Sequence, residues 1–392
     1  MRVLFLSHRY ADTKIGGLAE FLHHLPPTLR SYGVESMIYT RVSKSGIQHL
    51  EKPEYLSNEI PHYSGPFLKP SFFISNKELE PLIKLCEKEK IDLIHAQGTY
   101  RAGYMAMHAH KKTGIPYLVT SHSDVSETNS ERIQRMSIRL RCKKILKNAA
   151  AVTHLTPFMA DASHKIQATH HKSKIIHNGI AIADWDACLN YPEQNYMLAI
   201  GRLEPEKGFG ILIDAYAELI KQGIKTSLII AGTGSIEKEL QTQAKNHGIR
   251  VVTDFKDIHQ IPQESIIFTG YIRSNDKKNL FSHAKLVLFA TQPQIFEEAF
   301  GIVQVEAMTA GKALIASDMA TTRYLQSFGL QATLVKPDDI QNWTQAILTL
   351  LDNQEKRLMM GQLNREAVKQ FDWKIIAKEY ADVYQSIIST IS

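Results

Sequence analysis

The chain has 392 residues, of which 44% are hydrophobic and 22% are charged. This length exceeds what one hydrophobic core usually organises, and it predicts two domains of roughly 150 to 200 residues each. The composition is that of an ordinary globular protein, which excludes the collagen-like, disordered and disulfide-scaffold classes. A net charge of +6 is compatible with an anionic ligand, an acidic membrane surface or nucleic acid, and it selects none of them.

The opening of the chain lacks the pattern of a targeting segment. The apolar run Val3–Leu6 is too short for the core of a signal peptide, and no stretch reaches the roughly 18 consecutive apolar residues of a transmembrane helix. We therefore expect a cytoplasmic protein. Cys86, Cys142 and Cys188 are far apart and form no Cys-x-x-Cys pair, so we expect reduced thiols and neither a disulfide framework nor a zinc site.

Short apolar runs rich in β-branched residues recur along the chain, and each is followed by a stretch with helical periodicity. In the first half the predicted strands are Val3–Leu6, Glu35–Thr40, Asp92–His95, Pro116–Thr120, Ala151–Leu155 and Lys174–His177. In the second half they are Met197–Ile200, Ser227–Ala231, Ser265–Thr269, Lys285–Phe289, Ala313–Ala316 and Thr333–Val335. Such strands are typical of parallel sheets covered by helices on both faces, so we expect an α/β protein with two doubly wound sheets.

The domain junction is predicted in Asp186–Asn195, a polar segment that contains Pro192 and precedes a new strand. This places an N-terminal domain at residues 1–190 and a second domain at 191–371. Residues 372–392 form a predicted amphipathic helix that returns to the N-terminal domain. Open parallel sheets bind ligands beyond the carboxyl ends of their strands, so the cleft between two such domains is the expected site.

The loop after the strand Met197–Ile200 carries two cations and two glycines, namely Gly201, Arg202, Lys207 and Gly208. Arginine presents a planar fork to phosphate oxygens, lysine supplies a point charge, and glycine lets the backbone approach closely. The loop is therefore a candidate diphosphate clamp. Taken alone, it is also compatible with a charged surface turn.

A second candidate segment, residues 290–308, is predicted to pass from loop to helix near Phe300. A helix N-terminus offers unpaired amides and a partial positive charge, which favour phosphate. Glu306 lies more than a turn inside this otherwise apolar helix, and a buried carboxylate needs partners. The adjacent hydroxyls of a ribose would supply two hydrogen bonds, and Glu298 in the loop can accept from sugar hydroxyls.

Together these residues resemble the family 4 retaining glycosyltransferases of the GT-B fold, whose hallmark is a Glu-x7-Glu pair that spans Phe-Gly. In this chain the pair is Glu298 and Glu306, with Phe300-Gly301 between them. The resemblance covers nearly the whole chain. The other matching segments are Gly16-Gly17, Thr120-Ser121-His122, Asn178-Gly179, Gly201-Arg202 with Lys207-Gly208, Ala231–Gly234 and Phe268–Tyr271.

The resemblance implies a role for each matched residue. Glu306 would hold the ribose, Arg202 and Lys207 the diphosphate, and Glu298 the hydroxyls of the transferred sugar. His122 would lie near the anomeric carbon, so His122, Glu298, Arg202 and Lys207 are the implied catalytic residues. The other implied donor-binding residues are Gly16, Gly17, Gly201, Gly232, Tyr271, Phe300, Gly301 and Ile302.

The resemblance also implies an architecture and a reaction. The GT-B fold has two Rossmann-like domains that face each other across a cleft. The implied reaction is retaining transfer of a hexosyl group from a UDP-sugar, with a GDP-sugar as the alternative, to a saccharide or lipid-linked saccharide in the synthesis of a cell-surface polysaccharide such as lipopolysaccharide. We expect no metal or other cofactor, because the cations and the helix N-terminus supply the charge neutralisation. We hypothesise a front-face reaction in which the departing phosphate helps to deprotonate the acceptor.

The chain departs from the family pattern in two places. Ile180-Ala181 follows Asn178-Gly179 where the family commonly has an apolar residue and Asp, so an acidic role is absent there. Ala299 stands where glycine is frequent. The polar and aromatic loop Thr291–Glu297 is expected to shape sugar selectivity, and Ser43–Lys77 is either an acceptor-facing excursion or a plain surface loop.

A run of cations lies on a predicted amphipathic helix at residues 131–148. Such a helix can rest on anionic lipid and bring a lipid-linked acceptor to the site, which predicts a peripheral location on the inner face of the cell membrane. The alternative is a solvated helix face. Nucleic-acid binding is not expected, because no aromatic platform interleaves the run. The cations are Arg132, Arg135, Arg139, Arg141, Lys143, Lys144 and Lys147.

Several other functions have less support in the sequence. Gly232-Thr-Gly234 is similar to part of a dinucleotide fingerprint, but Glu237 occupies the place of its third glycine and would repel pyrophosphate. The 17 histidines lack the accompanying carboxylate or cysteine spacing of zinc and iron sites. A glucan synthase or a nucleotide-sugar epimerase of the GT-B fold remains open, as does a binding protein that senses a nucleotide sugar without consuming it.

Overall fold

The structure is a computed structural model. It describes the chain in the ranges 1–8, 17–42, 49–55, 59–69, 76–122, 133, 135–188, 191–253, 255, 257, 260–295 and 297–391. Contacts between residues divide it into two compact units, Met1–Gly179 with Phe371–Ser392, and Ile180–Gln370. The division therefore falls between Gly179 and Ile180, ahead of the junction between residues 190 and 191 that the sequence indicates.

The first unit contains an eight-stranded sheet in the order β3-β4-β2-β1-β5-β6-β7-β8. Its strands are β1 (Arg2–Ser7), β2 (Glu35–Arg41), β3 (His49–Tyr55), β4 (Pro61–Gly65), β5 (Leu93–Gln97), β6 (Tyr117–Ser121), β7 (Ala151–His154) and β8 (Ser173–Ile175). Its helices are α1 (Gly17–Thr28), α2 (Asn76–Lys88), α3 (Arg101–Thr113), α4 (Met136–Asn148) and α5 (Pro157–His164). Only the pairing of β3 with β4 is antiparallel among the described strands. The central strands are buried except for Arg2 at the start of β1, as parallel strands between helices are.

Two strands of this sheet lie within residues 43–77, where the sequence predicts no strand and indicates either an acceptor-facing excursion or a surface loop. The strand β3 contains Pro53 and three charged residues, which suits a sheet edge and gives no apolar run. The strand β4 is buried but polar, and its His62 Nε2 lies 2.8 Å from Thr40 Oγ1. A search for apolar runs misses strands whose polar side chains find partners inside the sheet.

The second unit contains a seven-stranded sheet in the order β11-β12-β10-β9-β13-β14-β15, and its pairings are parallel. Its strands are β9 (Tyr196–Ile200), β10 (Ser227–Ala231), β11 (Arg250–Val252), β12 (Ser265–Phe268), β13 (Leu286–Phe289), β14 (Leu314–Ser317) and β15 (Ala332–Val335). Its helices are α6 (Phe209–Lys221), α7 (Glu237–Asn246), α8 (Ser274–His283), α9 (Ile302–Thr309), α10 (Ala320–Ser327), α11 (Ile340–Leu351) and α12 (Gln354–Ala367). Of these strands the sequence missed β11, which is only three residues long.

The strand order of the second sheet fixes where its loops meet. The first strand in chain order, β9, lies between β10 and β13, so the chain runs to one side of β9 and then returns to the other. Reversal of strand order opens a crevice at the carboxyl ends of the flanking strands. The loops after β9 and β13 begin at this crevice, and they are the two segments that carry the predicted donor-binding residues.

The last helix, α13 (Trp373–Ile391), belongs to the first unit. Tyr384 OH lies 2.7 Å from His95 Nδ1, and Tyr380 OH lies 3.3 Å from Thr120 Oγ1. Trp373 packs edge-on against Phe21, with 5.8 Å between ring centroids. The C-terminal helix is therefore tied to β5 and β6 by buried polar contacts as well as by apolar packing. No described helix is both long enough and apolar enough to cross a membrane.

Candidate functional site

The loop after β9 is held against the loop after β13. Gly208 has a φ of 68°, and a Cβ at this position would overlap the carbonyl oxygen of Ala290. Gln292 N donates to the carbonyl of Glu206 at 2.8 Å, which joins the loops a second time. Glycine at 208 is thus required by both conformation and space, and the close packing directs Lys207 towards the Ala290–Glu298 segment.

Lys207 and Glu298, which the sequence analysis assigned to different parts of the donor, contact each other directly. Lys207 Nζ donates to Glu298 Oε1, and Thr291 Oγ1 also donates to that oxygen at 3.3 Å. Both side chains are largely buried and line a cavity of about 80 Å³, to which Gly201, Gly301 and Ile302 contribute as well. The structure therefore brings together five of the predicted site residues.

Arg202 does not share this arrangement. Its guanidinium is exposed and donates to Glu206 Oε1 at 3.0 Å, an i, i+4 pair within the same loop. An exposed pair of this kind contributes little to stability, so Arg202 can exchange Glu206 for a stronger anionic partner at small cost.

The helix α9 starts at Ile302, and Gly301, with a φ of 70°, is its N-cap. The N–H groups of Gln304 and Val305 donate to the carbonyl of Gly301 at 2.9 and 3.4 Å. The amides of Ile302 and Val303 belong to the first turn, which has no acceptors inside the helix. The helix start thus offers amides to an anion beside the Lys207–Glu298 pair, and it lies two residues after the position near Phe300 that the sequence predicts. Phe300 itself is buried.

Glu306 is buried in α9, as its sequence context indicates, and it has a protein partner that the sequence analysis missed. Lys277 Nζ, on α8, donates to Glu306 Oε1 at 2.5 Å. Lys277 lies among polar residues and follows no motif, so the only available signal was the requirement of a buried carboxylate for a cation. That requirement does not say which lysine supplies it.

The loops after β10 and β12 pack on the loop after β9. Gly232 has a φ of 135°, and a Cβ there would overlap the carbonyl oxygen of Gly201. Gly232 N donates to Gly270 O at 2.9 Å, and Tyr271 beyond it is exposed. In this structure Gly232 lets the loop after β10 pack closely against the loop after β9, which carries Arg202 and Lys207.

Two hydrogen bonds tie the middle of the loop after β9 to the loop after β10. Ser235 Oγ and Ser235 N donate to the two carboxylate oxygens of Glu204 at 2.5 and 3.2 Å. These bonds, the side-chain one first, lower the pKa of the Glu204 carboxyl below its usual value.

In the first unit, His122 follows the carboxyl end of β6. Its Nε2 lies 2.8 Å from Gln97 Oε1, at the end of β5, and its ring packs edge-on against Phe21 with 4.8 Å between centroids. Gln97 is a second residue that the sequence analysis missed. Its signal was available, since β5 and β6 are neighbouring parallel strands whose carboxyl ends meet at one edge.

His95 supports this region from inside the sheet. It is fully buried, with Nδ1 at 2.7 Å from Tyr384 OH and Nε2 at 2.6 Å from Thr120 Oγ1. Burial, and then the charge of nearby His122, lowers the pKa of His95 well below its usual value. His95 is therefore a neutral hydrogen-bonding group at physiological pH.

The remaining predicted positions are placed as follows. Gly17 opens α1, and a Cβ there would lie 3.4 Å from Asn178 Nδ2, whereas Gly16 lies outside the described residues. A Cβ on Gly179 would overlap the ring of Trp373, so the Asn178-Gly179 turn is where α13 closes on the first unit.

Glu297, in the loop expected to shape sugar selectivity, accepts hydrogen bonds from Thr321 N and Oγ1 at 3.3 and 3.2 Å. Burial raises the pKa of its carboxyl above the usual value.

Within the described residues, no group of three or more His, Cys, Asp or Glu side chains could hold a metal ion. The expectation that the chemistry needs no metal stays a prediction.

The basic segment is partly described, since residues 131, 132 and 134 lie outside the described residues. In α4, Ile138, Cys142, Ile145 and Leu146 are buried. The opposite face exposes Met136 at 74% and Leu140 at 59%. Exposed cations flank these two apolar side chains, namely Arg135, Arg139, Lys143, Lys144 and Lys147.

Comparison with known families gives matches over most of the chain. A family model described as Glycosyl transferases group 1 matches residues 186–367, and one described as Glycosyltransferase Family 4 matches residues 15–184. The O-antigen chain mannosyltransferase C of Escherichia coli is 21% identical over 402 residues, which cover 100% of this chain and 99% of that protein. The phosphatidyl-myo-inositol mannosyltransferase of Mycolicibacterium smegmatis is 24% identical over 384 residues, which cover 95% of this chain and 90% of that protein.

Solved structures show the same fold. Anabaena Alr3699/HepE in complex with UDP aligns with a TM-score of 0.77 at 20% identity, covering 98% of this chain and 100% of that chain. The sucrose-phosphate synthase of Thermosynechococcus elongatus aligns with a TM-score of 0.77 at 19% identity, covering 100% of both chains.

Proposed function

The chain belongs to the family 4 glycosyltransferases of the GT-B fold, and on this basis we propose that it transfers a hexosyl group from a nucleoside-diphosphate sugar to a saccharide or lipid-linked saccharide. The donor is a UDP-sugar in preference to a GDP-sugar. One observation carries the proposal: the loop after β9 and the loop before α9 pack together at one crevice of the second sheet. This packing places Lys207, Glu298 and the amides of a helix start at one cavity.

Charge favours a diphosphate in this cavity. Lys207 and Arg202 are paired with Glu298 and Glu206, each of which offers one negative charge, whereas a diphosphate presents several closely spaced charges to both cations. In the proposed complex Lys207 moves from Glu298 to the phosphates, Arg202 leaves Glu206, and the amides of Ile302 and Val303 donate to phosphate oxygens. These groups neutralise the leaving diphosphate, so the proposed transfer needs no metal ion.

Release of Lys207 leaves Glu298 as a charged acceptor for hydroxyls of the transferred sugar. In the proposed complex, donor binding therefore replaces the ion pair between Lys207 and Glu298 by two new contacts, Lys207 with the phosphates and Glu298 with the sugar. We assign His122 to the region of the anomeric carbon, with Gln97 fixing its ring. The reaction is proposed to retain configuration by a front-face route, in which the departing phosphate oxygen takes the proton of the acceptor hydroxyl.

The relatives support a role in cell-surface glycan synthesis. One is a mannosyltransferase of an O-antigen chain and another a mannosyltransferase of phosphatidyl-myo-inositol, while the HepE structures were solved with UDP and with UDP-glucose. We therefore place the acceptor among saccharides and lipid-linked saccharides of polysaccharide or lipopolysaccharide synthesis. The glycogen synthase of Mycobacterium tuberculosis, 22% identical over 98% of this chain, keeps a glucan synthase as the second candidate.

Turnover of UDP- and GDP-sugars tests the proposal. Arg202→Ala should lower the rate of donor consumption by about 100-fold, since it removes a cation aimed at the charge that develops on the leaving group. Arg250→Ala, which removes an exposed arginine at β11, is the matched control and should leave the rate unchanged.

Near-normal kinetics of Arg202→Ala would remove Arg202 from the mechanism. The products separate the alternatives. A binding protein would bind the nucleotide sugar without consuming it, an epimerase would interconvert nucleotide sugars without releasing the diphosphate, and a glucan synthase would extend an α-glucan primer.

We further propose that α4 rests on anionic lipid at the inner face of the cell membrane, which would bring a lipid-linked acceptor to the enzyme. Met136 and Leu140 would enter the interface while the surrounding cations face the headgroups. Each cation near an anionic surface contributes about 1 kcal/mol, so a double loss is measurable.

Sedimentation with anionic liposomes at low salt tests this contact. Arg139→Gln/Lys143→Gln should weaken binding by more than about tenfold. The control Lys238→Gln/Lys245→Gln removes the same charge from α7 and should bind as the wild type does. Equal binding by the two double variants, or no binding by the wild type, would rule the contact out.

A further inference from the structure

The ion pair between Lys277 and Glu306 joins two helices that start at the same edge of the second sheet. Lys277 is the fourth residue of α8, which follows β12, and Glu306 is the fifth residue of α9, which follows the β13 loop. Both strands are parallel to β9, so both helices begin at the carboxyl ends where the donor is proposed to bind. The pair therefore lies within about two helical turns of the crevice.

Burial makes this pair more than a surface contact. The Glu306 side chain is 8% exposed and that of Lys277 is 23% exposed, and Nζ lies 2.5 Å from Oε1. A carboxylate so enclosed is costly without a counter-charge, and a diphosphate nearby adds further repulsion. Lys277 offsets both effects, and it does so from the side chain of a different helix.

The side chain of Lys277 points towards Glu306, whereas that of the adjacent lysine does not. The next residue, Lys278, is also largely buried but faces Asp184, with Nζ 3.5 Å from Oδ2. Successive helical residues point about 100° apart, so only one of two adjacent lysines can meet Glu306. The chain thus provides a matched pair of lysines, one on the proposed ribose-binding carboxylate and one away from it.

We propose that Lys277 is a positioning residue for donor recognition, which keeps Glu306 charged and oriented as the acceptor for the ribose hydroxyls of the nucleotide. A carboxylate has about four acceptor sites on two oxygens, so it can accept from Lys277 and from both ribose hydroxyls together. A hydrogen bond to a charged acceptor is about twice as strong as a neutral one, so the lysine raises the selectivity for a ribonucleotide. This inference rests on the proposed function, in which Glu306 binds the ribose.

The test compares affinities by calorimetry for UDP, or GDP if the wild type prefers it, and for the 2′,3′-dideoxy form of the same nucleotide. The wild type should favour the ribonucleotide by about tenfold or more, and Glu306→Gln should lose most of this preference. Lys277→Met should lose it as well, while its affinity for the dideoxy nucleotide stays within about threefold of the wild type, which shows that the site is folded. Lys277→Arg should restore the preference in part, and Lys278→Met should retain it in full.

The outcomes separate this inference from the proposed function. If Glu306→Gln loses the ribose preference and Lys277→Met keeps it, the role of Lys277 is wrong and that of Glu306 stands. If Glu306→Gln keeps the preference, the ribose assignment fails and the role of Lys277 fails with it. If Lys278→Met loses the preference as Lys277→Met does, the effect is general to α8 and the specific role is overturned. Binding of neither nucleotide by the wild type would contradict the proposed function itself.

Discussion

Three cations in the second unit each hold a carboxylate of the same unit. Arg202 pairs with Glu206, Lys207 with Glu298 and Lys277 with Glu306. The Arg202 pair is the most exposed, and it can exchange at small cost. The other two pairs are buried to a similar degree, so parting either one is costly. We propose that the diphosphate of the donor draws Lys207 from Glu298, whereas Lys277 stays on Glu306.

This division predicts different effects for the two carboxylates of the Glu-x7-Glu pair. Glu306→Ala should weaken UDP or GDP binding by about tenfold or more, because ribose hydrogen bonds to a charged acceptor are lost. Glu298→Ala should bind the nucleotide at least as tightly as the wild type, since Lys207 is released for phosphate, but should turn over the sugar donor slowly. Calorimetry and donor turnover measure the two effects, with the exposed Glu239→Ala as control. Equal loss of nucleotide affinity in both variants would contradict the division.

At the scale of single residues, the sequence predicts functional residues that belong to a motif with a fixed spacing. Glu298 and Glu306 stand at a fixed spacing around Phe300-Gly301, so their shared location at α9 follows from the chain itself. Lys277 and Gln97 carry no such pattern. Their partners, Glu306 and His122, are respectively 29 and 25 residues away in sequence, and only the packed structure shows which polar side chain meets which.

At the scale of elements, apolar runs predict every buried strand that is also apolar. They fail for β3 and β4, where the edge position and a buried His62 contact replace the apolar run, and for β11, which is too short. The helix α9 starts two residues after the predicted place because Gly301, in the left-handed conformation, is its N-cap. The pattern of apolar residues therefore predicts where a helix or strand lies, whereas local contacts and capping residues determine where it begins and ends.

The element whose attachment is easiest to test is α13. Tyr384 OH and His95 Nδ1 form a fully buried hydrogen bond, and burial raises the pKa of Tyr384 and lowers that of His95, so both groups are neutral. Tyr384→Phe removes one partner and leaves a buried nitrogen without this hydrogen bond. The free energy of unfolding should fall by about 1 to 3 kcal/mol.

Urea denaturation measures this loss, and Tyr55→Phe, which changes an exposed tyrosine of β3, is the control. If Tyr384→Phe is as stable as the wild type, the hydrogen bond between Tyr384 and His95 does not contribute to the attachment of α13.

At the scale of the whole molecule, the sequence predicts two parallel-sheet domains, and the structure contains two such units. The boundary between them differs by about a dozen residues, since composition marks the polar segment near Pro192 whereas contacts divide the chain at Gly179. The turn at Gly179 packs under Trp373 of the returning helix, a long-range contact that composition does not encode. Residues 371–391 join the first unit for the same reason.

We propose that the second unit binds a nucleoside diphosphate and its sugar without a metal. The most direct measurement is a thermal-shift panel of UDP, GDP, their hexose sugars and NAD, each with the full chain in excess EDTA. A ligand at about 100 times its Kd stabilises the folded state by about 2.7 kcal/mol, enough to raise Tm by several degrees. We expect UDP or GDP and its sugars to raise Tm in EDTA, and we expect NAD to leave Tm unchanged. Protection by NAD alone, by no nucleotide, or only after a divalent cation is added would contradict it.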